Sequence, residues 1–163
     1  MGPEAIDRGL AYGDGLFETM RAYRGTLPWW PRHRARLLAG AARLGIPMPS
    51  DAALDTALAD ALQASPEVVI KVVVRRGTGA RGFAPTPGAA PSLLVMASAA
   101  PVAADPALAV DVLALRLGVQ PALAGMKHLN RLEQVLGARE AAERGLDDGL
   151  MADADGFLAC STR

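Results

Sequence analysis

Residues 124–145, AGMKHLNRLEQVLGAREAAERG, decide the fold, because they join a short apolar run to a helix through a lysine. Only two of the seventeen basic residues in the chain are lysines, and one of them is Lys127. Asn130 is a candidate N-cap, and Glu133 three residues later completes a near relative of the capping box. The spacing predicts a helix over about residues 129–144, with Lys127 directly before its N-terminus.

At that position two effects disfavour the ammonium form of Lys127. The apolar run LAGM before it predicts desolvation, and the positive end of the helix dipole repels a cation. A neutral lysine amine is a nucleophile that forms a Schiff base with an aldehyde. The alternative, a lysine that snorkels from a strand end towards water, stays open on the residues alone. His128 and Arg131 are also ambiguous, because either side chain could contact only solvent or the end of the helix.

The composition narrows the class of protein. A chain of 163 residues is long enough for one domain, or for one small domain and part of another. Seventeen acidic residues balance seventeen basic ones, which argues against nucleic-acid and anionic-membrane partners and favours a small molecule or a protein. A single cysteine excludes a disulfide framework and a zinc cluster of thiolates. No signal peptide or membrane-spanning run is present, so we expect a soluble cytoplasmic protein.

The first hundred residues read as a small α+β unit. RGLAYGDGLFETMRAYRGTLP predicts a turn, a strand over residues 16–23 and a second short strand, which together form a hairpin. PRHRARLLAGAARL and SDAALDTALADALQAS predict two amphipathic helices, the second capped by Ser50. EVVIKVVVRRG and SLLVMASAA predict two further strands. We therefore expect helices on one face of an antiparallel sheet.

A domain boundary is expected near residues 101–107, where PVAADPAL has two prolines and little periodicity. This gives a small N-terminal domain with its linker over residues 1–107 and an incomplete second domain over residues 108–163. The second part predicts a strand in AVDVLALRL, the helix after Lys127 and a hairpin in GLMADADGFLAC. A final strand with no visible partner predicts that the chain is a fragment of a longer protein.

Two arginine-rich stretches are candidate anion sites. GTGARG, residues 77–82, has dinucleotide-site spacing, but FAPTPGAAP follows and cannot form the helix that such a site needs. Arg76 and Arg81 in this loop could hold a carboxylate, or could be surface arginines of a solvated turn. In HRARL, Arg36 lies near the apolar helix face and could reach a phosphate, although such clusters are usually solvated.

Several segments together resemble a known family of enzymes. They are GMKHLNRLEQVLGAREA, DRGLAYGDGLFETMR, HRARL, VVRRGTGARGF and DDGLMADADGFL. Over nearly the whole chain the sequence resembles the 4-amino-4-deoxychorismate lyases, which have the class IV fold of pyridoxal-phosphate aminotransferases. The segment KHLNRLEQ is the part of the match that distinguishes these lyases from the branched-chain and D-amino-acid aminotransferases of the same fold. The resemblance implies a two-domain subunit that assembles as a homodimer with pyridoxal 5'-phosphate between its domains.

The implied reaction is elimination of pyruvate from 4-amino-4-deoxychorismate, which leaves 4-aminobenzoate for folate synthesis. By resemblance Lys127 binds the cofactor covalently and acts as the catalytic base, and Arg36 binds its phosphate. Thr19 matches a threonine near the substrate, and Cys160 aligns with the family's glutamate beside the pyridine nitrogen. Arg76 and Arg81 are the candidates for the substrate carboxylates. Alternatives are a branched-chain or D-amino-acid aminotransferase of the same fold, and an inactive fragment.

Overall fold

The computed structural model describes residues 6–63, 67–101 and 107–162. It divides the chain into two compact units. The first comprises Met1–Pro101 together with Gly125–Leu129, and the second comprises Val102–Ala124 and Asn130–Arg163. Residues 125–129, which include Lys127, thus belong to the first unit although they follow the first part of the second unit in sequence. Most of the expected boundary, residues 102–106, lies outside the described residues.

Among the described residues, the first unit has five strands and three helices. In chain order these are β1 (Ile6–Asp7), α1 (Arg8–Tyr12), β2 (Gly15–Arg21), α2 (Trp30–Leu44), α3 (Asp51–Leu62), β3 (Val68–Arg75), β4 (Thr78–Gly79) and β5 (Ser92–Ala99). The strands β2, β3 and β5 form an antiparallel sheet in that order, and β1 pairs with β4. The expected α+β class, with a mixture of helices and an antiparallel sheet, is confirmed.

The burial of alternate residues explains the two faces of this sheet. In β3, Val68, Ile70, Val72 and Val74 are all at most 3% exposed, whereas the alternate position Lys71 is half-buried. In β2, Leu16 and Met20 lie on the corresponding buried face, and α2 packs there through Leu37 and Gly40. We call the side that carries Phe17, Thr19 and Lys71 the open face.

The sequence signals for the two long helices are confirmed. Pro31 stands at the start of α2, where its missing N–H costs nothing, and Gly45 ends the helix with a left-handed backbone. Ser50 caps α3, and its hydroxyl accepts a hydrogen bond from the N–H of Ala53 at 3.2 Å. These local features set the helix bounds independently of the packing.

After β2, the predicted tight turn at Arg24 and Gly25 is confirmed, but the predicted second strand is wrong. The strand ends at Arg21, and the turn at Arg24 and Gly25 is closed only by a bridge between Tyr23 and Thr26. Both turn residues have positive φ, which suits a tight hairpin turn. The return strand does not form because Pro28 and Pro31 follow within a few residues and lack the N–H groups that a strand ladder needs.

The second unit comprises β6 (Val110–Leu117), α4 (Leu132–Glu143), β7 (Asp148–Asp153) and β8 (Leu158–Ser161). β6 and β7 are parallel, and β7 and β8 are antiparallel. The core is formed by Leu113, Ala141 and Met151. The predicted hairpin at Asp155–Gly156 is confirmed: the carboxylate of Asp153 accepts hydrogen bonds from the N–H groups of residues 155 and 157. None of the helices in the described part of the chain combines the length and apolar character needed to cross a membrane.

The predicted start of α4 is wrong, and so is the predicted capping box. The helix begins at Leu132, and the residue at its N-cap is Arg131, whose side chain makes no capping hydrogen bond. The carboxylate of Glu133 accepts a hydrogen bond from the N–H of Gly118 at 2.7 Å and is therefore used by the loop after β6. The contact depends on a residue fifteen positions away, which local helix rules do not consider.

Candidate functional site

The segment that carries Lys127 is fixed to strand β2 by backbone pairing. The N–H of Phe17 donates to the carbonyl oxygen of Lys127 at 2.9 Å, and the N–H of Leu129 donates to the carbonyl oxygen of Gly15 at 3.0 Å. Leu16 and His128 form an antiparallel bridge between these two hydrogen bonds. The backbone of Lys127 is therefore held as firmly as a strand residue, although the segment is too short to count as a strand.

Gly15 makes this close approach possible. A Cβ atom at this position would lie 2.7 Å from the side chain of Leu129 and 2.7 Å from the carbonyl oxygen of Val74. Neither distance is compatible with a real side chain, and the second contact is to backbone that cannot move aside. Gly15, the second glycine of YGDG, is therefore required, because the Lys127 segment and β3 both closely approach the start of β2.

The side chain of Lys127 reaches the open face of the sheet. Its Nζ lies 4.5 Å from the centre of the Phe17 ring, and the Nζ of Lys71 lies 4.6 Å from the same centre. Both distances are in the range of cation–π contacts. Lys71 is paired with Thr19 in the register of β2 and β3, so Thr19 shares this face. The structure thus brings both lysines of the chain to one aromatic ring and places Thr19 on the same face of the sheet.

This environment differs from the one that the sequence predicted for Lys127. The lysine lies five residues before the first residue of α4, and the effect of a helix dipole falls off within the first turn. The argument from the helix dipole is therefore wrong. The amine instead lies against the Phe17 ring, which the Nζ of Lys71 also contacts.

Arg36 is held by a buried carboxylate, that of Glu18. The Nε and Nη2 atoms of Arg36 each donate to one oxygen of Glu18 at 2.6 Å, and Nδ1 of His33 lies 2.7 Å from the second oxygen. The side chain of Glu18 is 1% exposed, whereas that of Arg36 is 47% exposed. The arginine is therefore fixed from its inner edge and remains accessible from outside.

The electrostatics of this triad favour the ionised pair. Burial by itself raises the pKa of Glu18, but the hydrogen bonds and charges of Arg36 and His33 more than offset it and hold the pKa below its ordinary value. The hydrogen bond to Glu18 raises the pKa of Arg36, despite its partial burial. Glu18 thus stays a carboxylate at neutral pH and keeps the guanidinium oriented.

The two candidate arginines of the glycine-rich loop differ sharply. Arg76 is 7% exposed: its Nε donates to Asp14 at 2.7 Å, and its Nη1 and Nη2 donate to the carbonyl oxygens of Gly45 and Leu44 at 2.6 and 2.7 Å. All three nitrogens serve the protein, which favours a structural role for Arg76. Arg81 is exposed in the bend after β4. As predicted from its prolines, the stretch after Gly82 forms no helix.

The remaining predicted residue, Cys160, lies in the second unit. It is an exposed residue of β8, where it pairs with Met151. Of the predicted site residues, then, Lys127 and Thr19 share the open face of the first sheet. Arg36 reaches β2 through Glu18, the residue between Phe17 and Thr19, on the face that packs against α2.

Residues 15–163, which make up most of the chain, match the aminotransferase class IV family. The chain belongs to this family. It is 36% identical to an aminodeoxychorismate lyase from Vibrio harveyi over 139 residues, 82% of this chain and 51% of that protein. It is also 33% identical over 165 residues, 96% of this chain and 56% of the relative, to a Methanocaldococcus jannaschii protein provisionally named a branched-chain-amino-acid aminotransferase.

Among solved structures, the 4-amino-4-deoxychorismate lyase from Pseudomonas aeruginosa superposes with a TM-score of 0.86 at 42% identity. The match covers 96% of this chain and 59% of that one. Branched-chain amino acid aminotransferase from Escherichia coli, at 17% identity and a TM-score of 0.81, shares the fold. This class IV chain therefore spans about half the length of the curated relatives it matches.

Sequence reasoning missed Glu18 and Phe17, on which the site of this class IV chain depends. The signal for Glu18 was available: with Leu16 and Met20 it occupies every second position of a strand, so it had to lie on the buried face. A buried carboxylate requires a partner, and the arginine-rich helix α2 supplies one. The role of Phe17 had no comparable signal, because it depends on the packing of residues 125–129 against β2.

Proposed function

We propose that the protein is a pyridoxal-phosphate-dependent lyase that eliminates pyruvate from 4-amino-4-deoxychorismate and leaves 4-aminobenzoate. The observation that carries the proposal is the placement of Lys127, with its backbone paired to β2 and its amine against the Phe17 ring on the open face, which also carries Thr19. The similarity to proteins named as this lyase supports it, at 36% and 42% identity.

Two side chains of the chain are chemically suited to such a cofactor, which has an aldehyde and a phosphate. Lys127 offers a primary amine on a fixed backbone, and Arg36 offers a guanidinium that Glu18 orients while nearly half of it stays accessible. We assign covalent attachment to Lys127 and phosphate binding to Arg36. When bound, the cofactor supplies an electron sink for the bond cleavage.

The chain's own groups move the protons and orient the substrate. We assign to the Nζ of Lys127 the removal of the proton from the ring carbon that carries nitrogen, and the return of a proton to the departing enolpyruvate. Thr19 lies on the same face and is the candidate for a hydrogen bond to the reacting groups. Arg81, which is exposed, is the better candidate for a substrate carboxylate, since the nitrogens of Arg76 are already engaged.

Further assignments accompany the proposal. We propose a place in the folate pathway and a cytoplasmic location. By resemblance to the family we also propose a homodimer, with the first domain of the subunit ending near residue 107. Cys160 remains the residue aligned with the glutamate that faces the pyridine nitrogen. A thiol is a weak hydrogen-bond acceptor there, so the ring nitrogen need not be held protonated.

The second candidate is an aminotransferase of the same fold. The relative named as a branched-chain-amino-acid aminotransferase is 33% identical over 96% of this chain, and this similarity favours it. Substrate choice is decided by a few side chains on a shared fold, so the family alone does not choose between the two reactions. The ratio of kcat/KM for pyruvate release to that for amino transfer in the full-length gene product discriminates them.

The lysine assignment is tested by borohydride reduction of the full-length gene product loaded with pyridoxal phosphate, followed by peptide mass mapping. We expect the pyridoxyl group on Lys127. Lys71 is the matched control, because its Nζ lies at the same distance from the same ring. Lys127→Arg should abolish labelling, and Lys71→Arg should retain it. A pyridoxyl group on Lys71 would contradict the assignment.

A further inference from the structure

Arg8, which the proposed reaction does not use, is one of the most deeply buried charged residues. It is 3% exposed, and its Nε donates to the carboxylate of Asp14 at 2.9 Å. Its two terminal nitrogens donate to three successive carbonyl oxygens: Nη1 to Gly82 at 2.8 Å and to Ala84 at 3.3 Å, and Nη2 to Phe83 at 2.6 Å. One guanidinium thus binds the backbone of residues 82–84, which directly follow Arg81.

Tyr12 contacts two of these three residues, Gly82 and Phe83. Its hydroxyl accepts a hydrogen bond from the N–H of Gly82 at 3.2 Å, and its ring lies 5.3 Å from that of Phe83. The Cζ atom of Arg8 lies 5.0 Å from the centre of the Tyr12 ring, within cation–π range. Both polar groups of Gly82 are therefore bound, its N–H by Tyr12 and its carbonyl by Arg8.

This arrangement selects one conformation of the loop. A buried guanidinium is costly unless its donors are satisfied, and apolar residues of similar volume often stabilise a protein as well or better. The Nη donors of Arg8 all find acceptors only when the carbonyl oxygens of residues 82–84 point towards its guanidinium. Arg8 is also tied to the first unit through Asp14, which Arg76 contacts at 2.7 Å. The loop backbone is thereby fixed relative to β2 and β3.

We propose that Arg8 is a positioning residue that fixes residues 82–84 so that the exposed side chain of Arg81 is presented to a carboxylate of the substrate. The inference rests on the proposed function through the role given to Arg81. A long side chain loses conformational freedom when it binds a ligand, and a fixed backbone reduces that loss. Neither Arg8 nor Tyr12 touches the substrate in this arrangement; both act through the loop.

The loop itself is tested by trypsin, which cleaves after Arg81. In the full-length protein, Arg8→Lys should raise the rate of cleavage at the bond between residues 81 and 82 by about tenfold, because one ammonium cannot replace the planar fork at all of these acceptors. Tyr12→Phe removes only the hydroxyl bound to Gly82 and should raise the rate less. Arg34→Lys is the control, since Arg34 pairs with Asp51 on an exposed surface. Unchanged cleavage in both variants would overturn the inference.

The effect on the substrate is tested by a double-mutant cycle. Arg8→Lys should raise KM for 4-amino-4-deoxychorismate about two- to tenfold, the range expected when one long side chain loses its fixed position. The kcat value and the cofactor absorbance should stay within about twofold of wild type by the same reasoning, because Lys127 and Arg36 are untouched. In an Arg81→Ala background, Arg8→Lys should add no further increase in KM.

The outcomes separate the two proposals. A wild-type protein that releases no pyruvate overturns the proposed function and, with it, the role of Arg81. An active wild type whose KM is raised additively by the two substitutions overturns only the inference, because Arg8 would then act independently of Arg81. An active wild type in which Arg81→Ala leaves KM unchanged also overturns the inference.

Discussion

Replacing Glu18 with glutamine tests the triad that holds Arg36. Glutamine preserves the shape of the side chain but presents one oxygen to Arg36 where the carboxylate presents two at 2.6 Å. Removing one partner of a buried ion pair costs about 3–5 kcal/mol. The cost is reduced here because Arg36 is 47% exposed and can return to water. We therefore expect a loss of about 2–3 kcal/mol in the free energy of unfolding, within the range for hydrogen bonds to a charged group.

The assay is urea unfolding followed by tryptophan fluorescence. Both tryptophans of the chain, Trp29 and Trp30, lie at the start of α2, the helix that carries Arg36. With an m-value of about 2–3 kcal/mol/M, the urea midpoint should fall by about 1 M. Arg34→Gln on the same helix removes an exposed pair with Asp51 and should cost less than about 1 kcal/mol. If the Glu18 and Arg34 variants have the same midpoint, the triad does not stabilise the fold.

The pH dependence of Glu18→Gln provides a second measurement on the same variant. The folded-state pKa of Glu18 lies below its ordinary value of 4.5, so its contribution to stability is fully present above about pH 4.5 and is lost as pH falls through the folded pKa. Glutamine does not titrate. The difference in unfolding free energy between wild type and variant should therefore shrink on acidification below pH 4.5, and a constant difference would refute the electrostatic part of the argument.

Two other substitutions test close contacts. Gly15→Ala should displace residues 127–129, since its Cβ would lie 2.7 Å from Cδ1 of Leu129 and is blocked on the other side by the carbonyl oxygen of Val74, also at 2.7 Å. We expect a loss of about 1–3 kcal/mol with faster hydrogen exchange at the N–H of Leu129, and protection equal to wild type would contradict this. Asp148→Asn should lower the urea midpoint of the second unit by the equivalent of about 1 kcal/mol, because the carboxylate accepts from the N–H and hydroxyl of Thr162. Burial opposes but does not prevent the lowering of the pKa of Asp148 by these hydrogen bonds, so this loss should also fade as pH falls below its ordinary value of 3.8.

The regular parts of the fold could be predicted from the sequence because their signals are local. Pro31 and Gly45 mark the two ends of α2, and Ser50 caps the start of α3. The run of β-branched valines by itself predicts the strand β3. The turn at Gly156 also needs only its own residues. Each of these elements is set by backbone sterics or by hydrogen bonds within a few positions, so one sequence is enough to find it.

The roles that could not be predicted from the sequence depend instead on contacts between residues distant in the chain. Glu133 was assigned to a capping box, but its carboxylate binds Gly118 fifteen residues earlier. The substrate contact predicted for Arg76 stays a prediction, and its nitrogens are engaged across the first unit by Asp14 and two carbonyl oxygens at the end of α2. The chemistry of Lys127 was attributed to a helix that begins five residues later. In each case a contact between residues distant in sequence decided the role, and residue type alone gave two or more possible partners.

Several contacts between residues distant in sequence converge on residues 7–21. The backbone of this segment pairs with residues 127–129, its Glu18 binds Arg36, and its Arg8 and Asp14 hold the loop that contains Arg81. Three groups that lie far apart in the chain are thus positioned against one short stretch. A catalytic arrangement must be kept within a fraction of an ångström, and a common rigid support meets that need better than contacts among three separate loops. Within DRGLAYGDGLFETMR, Gly15 admits the neighbouring backbone of β3, Glu18 fixes the side chain of Arg36, and Arg8 fixes the backbone of residues 82–84.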